Sequence, residues 1–291
     1  MGGISIDFEN IKEKIEPLRR LVEEFDRKMQ DGWWQGFPKD AYQVLAEWEF
    51  APLIATICDQ EIDAKVACMV PWWLYEKIGS LDPQNLLGRG VRHLLHDCFS
   101  SRYGHFPRRM SEKDRREWLD KVSRYIENAL KYFIKRNTTP VRIFENREYS
   151  ATEIYFMVRP ISGIGPKKAN VIVRDFLYRS CGISKRNPWF DQIVKLYPEF
   201  KVVSQEHTLV PTDIHVVKVF NRIFGRRTGN WYKERNEHKW DLDIQMFSRV
   251  VFPEFPARID GLFWYVGSNY CEDKNPKCSE CLVRQICDSK N

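Results

Sequence analysis

Two glycines one residue apart, Gly163 and Gly165, are the feature that most constrains how this chain folds. The stretch before them opens with Ser150 and Glu153, which have the spacing of a capping box at a helix start. Glycine reaches backbone angles that are closed to other residues, and Pro166 suits the first position of a following helix. The pattern therefore predicts a helix, a tight turn and a second helix.

The start of this second helix is a candidate anion site. The first amides of a helix have no partner within it and can donate hydrogen bonds to a phosphate. Lys167 lies in the same first turn, where a cation opposes the helix dipole at a cost of about a few tenths of a kcal/mol. An ordinary helix connection is the alternative, but it gives no reason for the lysine.

Hydrophobic periodicity along the chain predicts an all-α fold. Alternation typical of strands is scarce, and the sequence has no internal repeat. Ser111 and Thr212 are placed to cap two of the helices. Besides the two helices around the turn, the predicted helices cover residues 8–30, about 42–58, a segment ending at Lys77, 83–98, 112–136, about 189–196, 212–224, 241–250 and 256–268.

The charge balance permits an acidic partner. The 291 residues include 46 Lys and Arg against 40 Asp and Glu, a formal net charge of +6. The 10 Trp, 12 Tyr and 18 Phe suit either a surface that stacks on nucleic-acid bases or an aromatic core. The sequence has no run of about 18 apolar residues and no basic-then-apolar start. We therefore expect no membrane span, and a protein that is cytoplasmic (nucleoid-associated) or nuclear and is not secreted.

The eight cysteines fall into two sets. Four are scattered and, in a reducing compartment, are expected to be buried thiols. The other four have the spacing Cys-x6-Cys-x2-Cys-x5-Cys, with one close pair, whereas structural zinc sites usually have two. Four thiolates in one loop favour a cubic iron–sulfur cluster, with zinc or free thiols as the alternatives. The clustered residues are Cys271, Cys278, Cys281 and Cys287.

Three segments in a fixed order resemble the helix-hairpin-helix DNA glycosylases, and within them the endonuclease III branch. The family's Leu-Pro-Gly-Val-Gly-x-Lys-x-Ala-Asn corresponds to residues 161–170, Ile-Ser-Gly-Ile-Gly-Pro-Lys-Lys-Ala-Asn. Its Val-Asp-Thr-His-x-x-Arg-x-x-Asn-Arg is similar to residues 212–222, and its cysteine spacing matches at all four positions. A weaker match joins residues 60–63 to the family's Gln-Ala-Thr-Asp. The likeness extends over about residues 42–291.

The resemblance implies two helical domains with DNA across the cleft between them. Residues 42–178 would form a six-helix domain that carries the hairpin. Residues 1–41 together with 179–291 would form a second domain, with a [4Fe–4S] cluster on the four clustered cysteines. The implied partner is double-stranded DNA that contains a damaged or mismatched base or an abasic site, bound by a monomer.

The resemblance also assigns roles to individual residues. Lys167 matches the family's nucleophile and Asp213 its catalytic carboxylate, while Gln60 would fill the gap left by a flipped nucleotide. This chemistry is sound, because an unprotonated amine can attack a sugar carbon and a nearby carboxylate can move protons and stabilise positive charge. An exposed lysine and a helix-capping aspartate are the alternatives. DNA-binding roles fall to Gly163, Gly165 and Lys168, with the Lys168 side chain turned about 100° around the helix from the sugar.

Two departures from the family affect the substrate. Residues 178–208, between Lys167 and Asp213, resemble an insertion near the active site, and residues 225–239 resemble another. The function implied is a bifunctional DNA glycosylase and abasic-site lyase. The alternatives are a monofunctional glycosylase for alkylated or mismatched bases and a non-catalytic DNA-binding module.

Overall fold

The computed structural model describes residues 8–30, 34, 36–100, 106, 110–225, 241–272 and 275–289. Within these ranges the chain is mostly helical, which confirms the all-α prediction at that level. Apart from Gly225, the insertion predicted at 225–239 lies outside these ranges. The α-helices are α1 (Phe8–Met29), α2 (Lys39–Glu47), α3 (Ala51–Cys58), α4 (Ala64–Ile78), α5 (Pro83–Arg89), α6 (Val91–Ser100), α7 (Glu112–Arg136), α8 (Ala151–Val158), α9 (Pro166–Ser180), α10 (Pro188–Leu196), α11 (Ile214–Ile223), α12 (Asp241–Val251) and α13 (Ile259–Asn269).

Local capping chemistry explains where several helices begin. Ser111 caps α7, and the capping box predicted at Ser150 and Glu153 forms at the start of α8. The cap predicted for α11 was wrong by one residue. Asp213, not Thr212, accepts hydrogen bonds from the first amides of that helix.

Two predicted helices are each split in the structure. The helix predicted at 42–58 forms as α2 and α3, and the one at 83–98 as α5 and α6, separated by Gly90 at a φ of 78°. An apolar face continues across each break, so periodicity alone does not reveal it. A short parallel ladder of β1 (Glu148–Ser150) and β2 (Lys201–Val203) was also not predicted, and it pairs Tyr149 with Val202.

Buried apolar side chains form two clusters. One is built by the segment from α2 to β2 together with Phe255 and Ala257, and the other mainly by α1, α11, α12, α13 and the cysteine loop. α10 and β2 belong to the first cluster, although the sequence-based division after residue 178 placed them with the second. Their aromatic rings explain this, because Trp189, Phe190 and Phe200 pack against Phe176 of α9. Residues 188–202 of the predicted insertion are therefore part of a core.

Helices α11 and α13 approach each other closely at Gly267. A Cβ atom there would lie 2.6 Å from the Cβ and 2.7 Å from the carbonyl oxygen of His215. Only glycine permits this contact, which fixes α13 against the first turn of α11. No helix in the described part of the chain is long and apolar enough to span a bilayer.

Candidate active site

Lys167 and Asp213 form an ion pair between the two helices that carry them. The Nζ atom of Lys167 lies 3.1 Å from Oδ2 of Asp213, although the residues are 46 positions apart. Lys167 is the second residue of α9, directly after the hairpin turn, and Asp213 caps α11. The lysine side chain is 46% exposed and the aspartate 8%, so the amine borders solvent and the carboxylate lies behind it.

The Asp213 carboxylate is held in its charged form. Burial alone would raise its pKa, but the Lys167 ammonium and the amide of Val216 outweigh burial and lower the pKa. Its Oδ1 atom accepts from the amides of His215 and Val216 at 2.8 and 3.0 Å. One oxygen thus caps the helix while the other faces the lysine. Asp213 is therefore both the capping residue of the alternative interpretation and the partner of Lys167.

The hairpin turn packs against the end of α3 at Ile57. Gly163 has a φ of 86°, and a Cβ there would lie 3.0 Å from the Ile57 side chain and 3.0 Å from Tyr125. Gly165 differs, because its backbone is extended at a φ of −76° and a Cβ there would have no heavy atom within 4 Å. Gly163 is thus required by the fold, whereas Gly165 leaves free space at the start of α9.

Gln60 and Lys168 both bind the backbone of Ile57. Their Nε2 and Nζ atoms donate to its carbonyl oxygen at 2.7 and 2.8 Å. The Lys168 side chain is therefore buried against α3, and only its amide is placed at the helix start, where the DNA-binding role of this residue stays a prediction. The cause is the position of α3, which the sequence around Lys168 does not encode.

This burial disfavours the charged form of the Lys168 amine. Burial lowers its pKa to about 8, with Lys167 adding to the effect and Asp59 opposing it. Asp59 is half-buried, and burial raises the pKa of its carboxyl despite both lysines. Asp59 was not singled out in the sequence, since it lies outside the matched motifs. Its position directly before Gln60 was the one available signal.

The amides at the start of α9 have the geometry expected for anion binding. Pro166 has no amide hydrogen, and the Ala169 amide donates to the carbonyl of Gly165. The amides of Lys167 and Lys168 fall at the helix positions that lack intrahelical acceptors. They lie beside the open space at Gly165, where a phosphate could accept from both.

The four clustered cysteines line one cavity at the end of α11 opposite Asp213. Arg222, in the last turn of α11, donates from Nη1 to Cys271 Sγ at 3.0 Å, and its carbonyl accepts from Cys287 Sγ at 3.3 Å. One helix therefore connects the Lys167–Asp213 pair to the cysteine loop.

The chemistry of the cysteines suits a metal centre whose form is still a prediction. Four thiolates are the ligand set of both tetrahedral zinc and the cubic iron–sulfur cluster. Among the described residues, no three His, Cys, Asp or Glu side chains converge as a single metal ion requires. Burial raises the pKa of Cys271 and Cys287 and that of Cys281 to about 11, so a bound metal would have to displace thiol protons.

The chain was compared with known proteins by family and by sequence. No protein-family model and no curated protein matches it. The assignment of a function therefore depends on the geometry of the site and on the motifs themselves.

Proposed function

We propose that this chain is a helix-hairpin-helix DNA glycosylase with abasic-site lyase activity. The observation that carries the proposal is the 3.1 Å ion pair between Lys167, after the hairpin, and Asp213, at the cap of α11. A lysine amine at the solvent boundary, backed by a buried carboxylate, is the arrangement that amine nucleophile chemistry needs. The two residues come from separate motifs, so their contact is independent of either motif alone.

The proposed reaction starts when Lys167 loses a proton and its amine attacks C1′ of a flipped nucleotide. The bond from C1′ to the base breaks, and the base leaves with the bonding electrons. The sugar ring then opens to a Schiff base on Lys167. A base then removes the C2′ proton, its bonding electrons form a C2′–C3′ double bond, and the 3′ oxygen leaves with its phosphate, which cleaves the strand. Water finally hydrolyses the Schiff base and frees Lys167. Asp213 supplies negative charge beside the developing cation and a site for proton transfer.

DNA binding would use the start of α9 together with the α3–α4 loop. The amides of Lys167 and Lys168 would donate to a backbone phosphate, with Gly165 leaving room for its approach. Gln60 would leave Ile57 and occupy the space vacated by the flipped nucleotide. Flipping costs about a few kcal/mol and least for damaged or mismatched bases, so the substrate proposed is damaged duplex DNA. We place the duplex between the two packed clusters.

The cysteine loop would hold a [4Fe–4S] cluster. Cys271, Cys278, Cys281 and Cys287 are its proposed ligands, and such a cluster supplies a rigid anchor for the loop and one-electron redox capacity. Arg222 would donate to the Cys271 sulfur, where it balances negative charge. This cationic donor fits a negatively charged group in the cavity, whereas burial of Cys271 and Cys281 raises their pKa and opposes ionisation of the thiols until a metal replaces their protons.

Borohydride trapping tests the proposal. The purified chain is incubated with an abasic-site duplex in borohydride, which reduces a Schiff base to a stable covalent complex. We expect the wild type to be trapped and Lys167→Ala to lose trapping while it still binds the duplex. Lys195→Ala is the matched control, because Lys195 is exposed on α10 and should not affect trapping.

The remaining outcomes separate the alternatives. Release of a damaged base without any trapped complex would show a monofunctional glycosylase. Binding to duplex DNA without base release or trapping, across a panel of damaged duplexes, would favour the non-catalytic module. The same panel identifies the excised base, which the motifs do not specify.

A further inference from the structure

Helix α9 makes two ion pairs along one face. Arg174 follows Lys167 by seven residues, close to two turns, so both side chains leave the helix in nearly the same direction. Lys167 reaches Asp213 at the cap of α11, and Arg174 Nη1 pairs with Oδ2 of Asp260 in the first turn of α13. The helix that carries the proposed nucleophile is thus joined at two points to the second cluster.

The two pairs differ in depth. The side chains of Arg174 and Asp260 are 16% and 3% exposed, so the inner pair is shielded from water, unlike the half-exposed Lys167. Arg174 is also held by Oδ1 of Asp175, at 2.9 Å from Nε and 2.6 Å from Nη2. A guanidinium with donors engaged on two sides has one orientation available.

The carboxylates of the two pairs belong to one rigid unit. The contact of Gly267 with His215 fixes α13 on α11, and therefore fixes Asp260 relative to Asp213. α1 strengthens the same end of α13, because Arg258 Nε donates to Oδ2 of buried Asp26 at 2.7 Å. Tyr178 of α9 adds a hydrogen bond from its hydroxyl to the Arg258 carbonyl at 2.9 Å. The position of Arg174 on Asp260 thus determines where Lys167 meets Asp213.

The proposed chemistry breaks the outer ion pair, which is Lys167–Asp213. In the attacking form Lys167 is a neutral amine, and its nitrogen turns from Asp213 to the sugar carbon. The attraction that joins α9 to α11 is then lost at the moment when the geometry matters most. Arg174 is not neutralised in this way, because arginine keeps its proton in proteins.

We propose that Arg174 and Asp260 are positioning residues that hold α9 against the α11–α13 unit while the Lys167–Asp213 pair is open. This inference rests on the proposed function. It explains why a buried arginine, rather than a second lysine, is found two turns beyond the nucleophile. The sequence signal was the seven-residue spacing from Lys167, which motif comparison does not use.

The test replaces the inner pair by apolar side chains. Buried ion pairs exchanged for apolar residues of similar volume often retain stability, so Arg174→Met with Asp260→Leu is the variant of choice. We expect the single-turnover trapping rate on abasic duplex to fall about 100-fold, since a displacement of about 1 Å has effects of this size. The dissociation constant for the duplex should stay within about twofold of wild type, because neither residue is placed at the phosphate.

The control is another ion pair of the same helix, which joins it to α10 instead of to the second cluster. Arg179 Nε pairs with Oδ1 of Asp191 at 2.8 Å, and Asp191 belongs to α10 in the first cluster. Arg179→Met with Asp191→Asn should therefore leave the trapping rate unchanged. If the inner-pair variant traps at the wild-type rate, the pair is only structural and the inference is overturned. Equal losses in both variants would overturn it as well.

Two further measurements keep the inference testable. If the variant with Arg174→Met and Asp260→Leu does not fold, Arg174→Lys takes its place, because it retains the charge with fewer hydrogen-bond donors. A trapping rate equal to wild type in Arg174→Lys would count against the inference. If the wild type never traps, the proposed function fails. The position of Lys167 relative to Asp213 is then measured by chemical modification of the lysine. Reductive methylation of Lys167, measured relative to Lys195 by mass spectrometry, should rise severalfold in the double variant because Asp213 no longer shields the amine. Unchanged methylation would reject the inference independently of catalysis.

Discussion

Gln60 and Lys168 donate to a single acceptor, the carbonyl oxygen of Ile57, at 2.7 and 2.8 Å. α3 ends one residue later at Cys58, so this oxygen lies at the negative end of a helix, where a cation is favoured. The proposed insertion of Gln60 into DNA requires it to release Ile57. Lys168 would then keep the carbonyl bound, so the α3 end need not reorganise when the loop engages the duplex.

Replacement of Lys168 by methionine should stabilise the protein at neutral pH. The folded-state pKa of about 8 lies below the unfolded value of about 10.4, so below pH 8 the folded state carries a buried charge at full cost. We expect Lys168→Met to gain about 1–2 kcal/mol in free energy of unfolding at pH 7, after loss of one hydrogen bond.

The sign of the pH dependence provides the check on Lys168. Between pH 8 and about 10.4 the unfolded chain binds a proton that the folded chain has lost, so wild-type stability rises relative to the variant. Urea unfolding at pH 7 and pH 9.5 should show the advantage of Lys168→Met shrinking. A constant difference, or a variant less stable at pH 7, would contradict the assignment. Lys195→Met, at an exposed position of α10, is the control.

Substitution of the two hairpin glycines should destabilise the protein to different extents. Gly163→Ala places a Cβ at 3.0 Å from Ile57 at a φ of 86°, so we expect a loss of about 1–3 kcal/mol in stability. Gly165→Val meets open space and should cost no more than about 1 kcal/mol, mainly through a poorer helix cap. Thermal unfolding of both variants measures this difference.

For DNA binding, we expect substitution of Gly165 to have a larger effect than substitution of Gly163. Gly165→Val would obstruct the phosphate, so its affinity should fall by a similar factor for undamaged and abasic duplexes. The slope of log affinity against log salt should decrease by about 0.9 for each lost phosphate contact. If Gly165→Val binds DNA with the wild-type affinity and the wild-type salt dependence, this turn is excluded as a phosphate site.

Local chemistry was predicted well because it depends on neighbours in sequence. Ser111 and Ser150 were predicted correctly as capping residues, and Pro166 as the first residue of a helix. The pairing of Tyr149 with Val202 was missed, because a three-residue strand has too little periodicity to detect. The helix break at Gly90 was missed since the apolar face continues beyond it.

The same distinction between local and tertiary information applies to the residues of the site. The contact of Lys167 with Asp213 was expected from the order of two motifs, and no spacing rule would have given it. The inward direction of Lys168 and the Arg174–Asp260 pair depend on where α3 and α13 pack against α9, which is tertiary information. Sequence therefore supplied the chemistry of the site but not its supporting contacts.

Iron and sulfide analysis tests the cysteine loop. Protein purified without oxygen should be brown and contain about four iron and four sulfide per chain, as a [4Fe–4S] cluster requires. Cys281→Ser should lose the iron and unfold at lower temperature, since a bound metal centre stabilises its loop. Cys181→Ala, at an exposed cysteine outside the loop, should retain both. One equivalent of zinc in colourless wild-type protein would replace the iron–sulfur proposal with a zinc site.

Asparagine at position 213 should separate capping from catalysis. Asn caps a helix about as well as Asp, so α11 should keep its start in Asp213→Asn, whereas Asp213→Ala should lose about 1 kcal/mol more. The lost ion pair should contribute less than about 1 kcal/mol to stability, because Lys167 is half-exposed and screened by solvent. Trapping by Asp213→Asn should nevertheless slow by about 10²–10⁴-fold, the range typical of a general acid or base.

The pH dependence of this pair follows from its lowered carboxyl pKa. Lys167 and the helix amides keep Asp213 charged below the usual carboxyl range, so its stabilising contribution is complete above about pH 4 and is lost as the pH falls through the folded-state pKa. The difference in unfolding free energy between wild type and Asp213→Asn should therefore be constant from pH 7 to pH 5 and shrink toward pH 3. Trapping by Asp213→Asn at the wild-type rate would leave Asp213 as a helix cap alone.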